Sequence, residues 1–231
     1  MSEVNNEYNE GKVLLIDKPL NWTSFDVVKK LKFALKVKKI GHAGTLDPLA
    51  TGLLILCTGK MTKSIEKYQA QEKEYTGEFT LGFTTPSYDL ETAPEFQSET
   101  SHINLEDLIK EASYFTGEIE QTPPIFSAVK TGGKRAYSLA REGKEVKLKS
   151  RVVNISEFEI TEFKENKVAF RVRCSKGTYI RSLAYDFGEK LGVGAYLSAL
   201  RRTKIGDFSV DDADNLNEFV KNKKVNTNDR P

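Results

Sequence analysis

The sequence predicts an α+β fold built on a mixed sheet, and three observations carry that expectation. Segments at residues 75–83, 152–160 and 167–174 alternate apolar with polar residues, the period of half-buried strands. Segments after Thr23, Asn104 and Thr178 carry apolar stripes at helical spacing. The two kinds interleave without a regular strand–helix–strand rhythm, which argues against an all-parallel sheet.

In chain order, residues 13–17 form a short apolar run that ends at Lys18-Pro19, a buried strand entering a turn. Thr23 or Ser24 caps a helix that places Val27, Val28, Leu31, Ala34 and Leu35 on one face. Tyr75, Gly77, Phe79, Leu81 and Phe83 share one side of the next strand. Asn104, with Asp107 three residues on, starts a helix with Leu105, Leu108, Ile109 and Ala112 inward, stopped by Gly117. Along 152–160 the alternation changes phase near Ser156-Glu157, which predicts a bulge. Val168, Phe170, Val172 and Cys174 alternate cleanly in the following strand. Thr178 then opens a helix with Ile180, Leu183, Ala184, Phe187 and Leu191 as its stripe. Beyond Asp211 the Asn- and Lys-rich chain predicts one short helix followed by disorder.

Composition narrows the classes of function. Charged residues make up 29% of the 231 and hydrophobic ones 39%, the profile of a folded chain. No apolar run approaches the roughly 18 residues of a membrane span, and the polar N-terminus is not a secretory signal. Cys57 and Cys174 lie far apart and match no redox or metal spacing, and His42 and His102 stand alone. A cytoplasmic chain without metal or disulfide is expected.

The net charge of +2 hides segregation. Residues 29–47 hold six lysines against Asp47, and residues 130–151 and 171–204 each hold eight basic residues against two acidic ones. Residues 86–120 hold nine acidic residues against Lys110. Three basic blocks and one acidic block suit a polyanion-facing side, although solvated helix faces give the same count.

Three segments are specialised. In Gly41-His42-Ala43-Gly44-Thr45-Leu46-Asp47-Pro48-Leu49-Ala50-Thr51-Gly52 the glycines permit positive φ and close approach to a ligand. Pro48 pushes Asp47 out of the helical region, so its carboxylate sits on a rigid turn. The spacing to Gly59-Lys60 fails the phosphate-loop pattern. The second segment, residues 121–130, contains Pro123 and Pro124 and is followed by Gly132, Gly133 and a short basic helix; it reads as a mobile arm for a nucleic-acid backbone or as an ordinary loop. In the third, Cys174-Ser175-Lys176-Gly177-Thr178-Tyr179-Ile180-Arg181, Arg181 falls in a first helical turn, where a cation is disfavoured; a carboxylate partner is therefore expected.

Together these segments resemble the TruB family of bacterial tRNA pseudouridine-55 synthases. The Gly41-to-Pro48 run is similar to the family's catalytic-aspartate motif. Asp17-Lys18-Pro19, Lys73-Glu74-Tyr75, the arm at 121–130, residues 176–181 and Leu200-Arg201-Arg202 follow in order. The resemblance spans about residues 12–210. Where the family usually has Lys-Pro-x-Gly, this chain has Asn21, which tolerates the left-handed region best after glycine.

The resemblance implies a largely antiparallel sheet flanked by helices in a catalytic domain at 1–210, with an RNA-binding arm inserted at 118–151. It leaves 211–231 as a short helix and tail, without the family's usual complete C-terminal RNA-binding domain. It implies Asp47 as the nucleophile, Arg181 as its ion partner and Tyr75 as a stacking and proton-transfer group. Lys18, His42, Tyr75, Tyr179 and Leu200 would hold the substrate, and Lys130, Lys134, Arg135, Arg201 and Arg202 the RNA backbone. The partner would be the T-arm stem-loop of tRNA, met by a monomer in the cytoplasm without guide RNA. No cofactor or metal is called for, because the isomerisation needs no redox change and no external atom. Whether Asp47 attacks C1′, attacks the base or removes the 2′ proton stays open. Two other classes do too: a nucleosidase or glycosidase using Asp17, Asp89 or Asp186 as second carboxylate, and a non-catalytic RNA-binding protein.

Overall fold

The computed structural model describes residues 7–127, 129–131, 134–137 and 148–228. They group into two compact units, Met1–Tyr75 with Arg201–Pro231, and Thr76–Leu200. The strands Lys73–Leu81 and Ala195–Ile205 each begin in one unit and end in the other.

In the first unit Val13–Lys18 pairs antiparallel with Ala50–Thr58 and parallel with the short Asp214–Asn215. Ile40–His42 joins Ala50–Thr58 antiparallel. The helix Ser24–Leu35 opens on Thr23, whose side chain accepts from Asp26 N while Asp26 caps Thr23 in return. Its buried face, Val27, Val28, Leu31 and Leu35, packs on Ile16, Leu54 and Leu56. Leu216, Phe219 and Val220 of the helix Leu216–Asn228 complete that core. The C-terminal helix therefore belongs to this unit's core, because i, i+3, i+4 apolar spacing gives it a face to bury.

In the second unit Arg151–Lys164 pairs antiparallel with both Lys167–Cys174 and Gly117–Gln121. The bulge expected at Ser156 is present, and a second register shift follows at Thr161. Phe79, Phe158, Phe170 and Phe187 form the aromatic centre, with Phe79 and Phe170 stacked at 4.2 Å. Asn104 caps the helix Leu105–Tyr114 in a capping box with Asp107. Only Leu108 and Ala112 of its expected stripe are buried; Leu105 and Ile109 are exposed, since this helix meets its neighbours along a narrow line. The helix Ile180–Leu191 starts two residues later than Thr178, whose hydroxyl instead donates to Ser175 O and closes the preceding turn. Cys57 and Cys174 are buried free thiols. No helix among the described residues is long and apolar enough to cross a membrane.

Candidate active site

The Asp47 loop connects two antiparallel strands, so both of its ends are pinned. Ile40–His42 leads in, Ala50–Thr58 leads out, and Ala43 N donates to Ile55 O at 2.8 Å. Within the loop Ala50 N donates to Asp47 O at 3.1 Å, closing the Asp47-Pro48 turn with the carboxylate partly exposed. Gly52 sits at φ +104°, and a Cβ there would stand 2.3 Å from the Arg202 carbonyl oxygen. Only glycine allows this approach.

Residues on three other segments fasten the loop. Ser24 Oγ donates to Leu46 O and accepts from Leu46 N, at 3.1 and 2.9 Å. Asn21, at φ 62° as its place in the turn required, donates its N–H to Pro48 O at 2.9 Å. Lys18 is fully buried, and its ammonium donates to the carbonyls of Trp22 (2.6 Å), Pro19 (2.9 Å) and Pro48 (3.5 Å). Arg202, 1% exposed, donates to Leu53 O (2.8 Å), Gly44 O (3.3 Å) and Thr45 O (3.4 Å).

Lys18 was expected to hold the substrate and Arg202 the RNA backbone. Both cations are enclosed, and the oxygens they face are the chain's own carbonyls. Arg201 gives its guanidinium fork to Asp17 at 3.0 and 2.7 Å, a half-exposed bidentate pair rather than an open phosphate contact.

Burial pushes the Lys18 pKa down to about 8; the Asp47 carboxylate opposes that shift and the Arg202 charge adds to it. An ammonium and a guanidinium thus raise the positive potential around the Asp47 turn. His42, in the strand leading into the loop, is held below its ordinary pKa by burial, with Arg202 acting in the same sense, which favours a neutral imidazole. Tyr75 is nearly buried close to the start of Lys73–Leu81. Next to it, Glu74 accepts from Thr203 Oγ1 at 2.8 Å.

The second unit holds Arg181, Tyr179 and Leu200. Arg181 is 4% exposed; its Nε lies 3.6 Å from Asp89 Oδ2 and its Nη1 donates to Ser87 O at 3.2 Å. The misplaced first-turn cation does have a carboxylate, though one that sequence spacing does not point to. The 85–89 turn that presents Asp89 is braced by Thr85 Oγ1 and Ser87 Oγ, both donating to Asp89 O. Tyr88 takes φ 63° there, costly for an aromatic residue, and stacks on Tyr185 at 4.2 Å. Burial raises the Tyr88 hydroxyl to about 12.

Gln121, first residue of the arm, accepts from Tyr179 N at 2.7 Å and donates to Tyr179 O at 3.1 Å. Ser182 Oγ donates to Thr122 O at 2.7 Å, so the root of the arm is clamped to the helix start carrying Arg181. The Tyr179 N–H, just before that helix, is thus taken by Gln121. Arg151 lies over the Tyr179 ring at 4.9 Å, and Leu200 is half-buried. Lys130–Thr131 pairs with Lys134–Arg135 as a short hairpin. The side chains of Lys130, Lys134 and Arg135, and residues 138–147, lie outside the described residues.

Of the carboxylates a glycosidase would need, Asp17 is held by Arg201 and Asp89 by Arg181. Asp186 is raised to about 6 by burial and by the neighbouring Glu189 charge.

Residues 32–180 match the family model of the TruB family pseudouridylate synthase N-terminal domain, and residues 181–230 match that of the tRNA pseudouridylate synthase B C-terminal domain. The second match takes in residues 211–230, for which a short helix and tail without a complete C-terminal RNA-binding domain were expected. The tRNA pseudouridine synthase B of Flavobacterium johnsoniae is 58% identical, covering 92% of this chain and 96% of that one. Its counterpart in Phocaeicola vulgatus is 51% identical over 92% and 93%. Among solved structures, a chain of a Cbf5-Nop10-Gar1 complex superposes with TM-score 0.73 at 32% identity, covering 93% of this chain; this chain spans about half the length of that one, 54%.

Proposed function

We propose that this chain, which belongs to the TruB family of pseudouridylate synthases, isomerises uridine 55 in the T-loop of tRNA to pseudouridine. The observation that carries the proposal is Asp47 itself: a partly exposed carboxylate in the family's Gly41-to-Pro48 run, set on a turn that Ser24, Lys18 and Arg202 hold from behind. A loop fastened at that many points presents its carboxylate with little reorganisation, as a group acting on a bound nucleoside requires.

The reaction breaks the N1–C1′ bond, turns the uracil and rejoins it through C5, with no net gain or loss of atoms. Asp47 is the group that acts on the nucleoside and leaves again. Arg181, its orientation held by Asp89 and the Ser87 carbonyl, supplies the balancing cation that the family motif implies. The uridine must leave its stack first, at a cost of a few kcal/mol; Tyr75 stacks on it and His42, neutral, supports the flipped state. Tyr179 and Leu200 line the base pocket. Lys18 and Arg202 serve the substrate indirectly, by fixing the loop and its potential. The chain works as a cytoplasmic monomer that needs neither guide RNA nor cofactor, and it recognises the T-arm stem-loop.

The test is incubation of the purified protein with unmodified tRNA, followed by chemical mapping of pseudouridine at single-nucleotide resolution. A single modified position in the T-loop is expected. Free uracil would mean a hydrolase, and bound but unchanged RNA would mean a binding protein; either overturns the proposal.

A further inference from the structure

The helix Ile180–Leu191 brings Arg181 and Tyr185 to one face, because residues four apart lie one above the other on a helix. The 85–89 turn docks on that face with two consecutive side chains. Asp89 Oδ2 lies 3.6 Å from Arg181 Nε, and the Tyr88 ring stacks on Tyr185 with centroids 4.2 Å apart and planes inclined by 18°. Neighbouring side chains on an extended backbone point to opposite sides. Tyr88 and Asp89 reach one helix face together because Tyr88 leaves that geometry, at φ 63°.

An aromatic residue keeps a left-handed backbone only where its surroundings over-determine it. Here the Tyr185 ring holds the side chain, and the Tyr88 carbonyl accepts from Leu197 N at 2.9 Å. Glu91 N donates to Asp89 Oδ1 at 3.0 Å, so the turn itself fixes one carboxylate oxygen while the other faces Arg181. Burial raises both phenols, Tyr88 to about 12, and the Glu189 and Asp186 charges act in the same sense. The stack is therefore one of neutral rings, and it is the rings that do the holding.

We propose that the Tyr88–Tyr185 ring pair is a positioning device for catalysis: it fastens the 85–89 turn to the helix, so that Asp89 fixes the direction of the Arg181 guanidinium. The proposal rests on the pseudouridylate-synthase reading, in which Arg181 is the cation that balances Asp47. Neither tyrosine acts on the substrate. Their loss shows in the rate of the chemical step and leaves RNA affinity alone.

The test measures single-turnover rate at saturating T-arm hairpin, and hairpin affinity, in the full-length protein. Urea midpoints establish that each variant is folded in the assay. Tyr185→Leu removes one ring; Tyr88→Gly removes the other and places at φ 63° the residue that adopts it freely. Each should lower the rate by about tenfold or more, as a displaced charged group does, with affinity within about twofold of wild type. Tyr185→Phe, which restores the ring without its hydroxyl, should recover most of the rate. The Tyr88→Gly/Tyr185→Leu double variant should be no slower than the slower single one, because both act through one contact. Near-wild-type rates in both single variants, multiplied losses in the double variant, or a Tyr185→Phe loss equal to that of Tyr185→Leu would overturn the proposal. Weakened affinity at an unchanged rate would make the rings RNA contacts and overturn it as well. The Nε–H resonance of Arg181, assigned by its absence in Arg181→Lys, reads the guanidinium without catalysis. It should move in Tyr185→Leu and return in Tyr185→Phe. If wild type makes no pseudouridine, the functional reading fails and this resonance still decides the positioning: no movement in Tyr185→Leu refutes it.

Discussion

Replacing Arg202 by methionine separates a loop-holding role from a phosphate-binding one. Arg202 is 1% exposed and its three nitrogens end on Leu53 O, Gly44 O and Thr45 O at 2.8, 3.3 and 3.4 Å. Hydrogen bonds from a charged donor contribute about 1.5–3 kcal/mol each. The short bond to Leu53 counts in full and the two long ones at the lower end or below, for a gross loss of about 4–6 kcal/mol. Removing the charge also removes its desolvation cost, and methionine refills part of the stem volume, so the net destabilisation should be about 2–4 kcal/mol. The freed carbonyls of Gly44 and Thr45 are close in sequence to Asp47, and a displacement of about 1 Å at a reacting group costs on the order of a hundredfold in rate.

Urea unfolding and single-turnover kinetics at saturating RNA measure the two effects, and filter binding over a salt series measures the third quantity, affinity. A loop-holding Arg202 lowers stability and saturated rate while leaving RNA affinity and its salt slope close to wild type. If Arg202→Met instead keeps its stability and rate but binds RNA weakly with a flatter salt slope, the guanidinium meets phosphate and the reasoning fails. Arg202→Lys, which keeps the charge but can reach fewer carbonyls, should recover part of the stability and little of the rate.

Asp47→Asn keeps the shape of the turn but removes its charge, so product formation should vanish with tRNA affinity within about threefold of wild type; a measurable fraction of the wild-type rate would remove Asp47 from the chemistry. Arg181→Met should lower single-turnover rate far more than binding, because it strips a buried site of its cation and strands Asp89; full activity would dismiss the ion-pair role. Folding depresses the Lys18 pKa to about 8, so between about 8 and its ordinary value the unfolded chain binds more protons than the native one. Stability contributed by this group therefore rises with pH across that window. Urea unfolding from pH 7 to 10 should show that rise in wild type and lose it in Lys18→Met, and equal slopes in the two proteins would contradict the assignment.

Much that was legible in the sequence lies within four residues of its own signal. Thr23 with Asp26 and Asn104 with Asp107 form capping boxes because the donor and acceptor of each are one helical turn apart. The Ser156 bulge shows as a break in alternation, and Asn21 takes the left-handed turn because its neighbours Lys18 and Pro19 demand one. Pro48 restricts the backbone at Asp47 while the nearby glycines permit positive φ, and the resemblance of this run to the family's motif singled out Asp47.

Partners distant in the chain follow different physics. The resemblance gives Lys18 to the substrate and Arg202 to the RNA backbone, and a lysine or arginine is usually exposed. Whether it is depends on which backbone carbonyls the fold leaves unmet beside it, here those of Trp22 and Pro48 for one and Gly44, Thr45 and Leu53 for the other. The carboxylate demanded by Arg181 was foreseeable, but its identity as Asp89 depends on the 85–89 turn and its side-chain braces. Ala50–Thr58 is buried on both faces and so lacks the alternation that marks a half-exposed strand. The Leu216–Asn228 helix likewise became core once a strand and a helix from the other end of the chain had formed a surface for Leu216, Phe219 and Val220 to cover. Local sequence sets backbone preference and charge; only the packed chain decides which of those charges still face solvent.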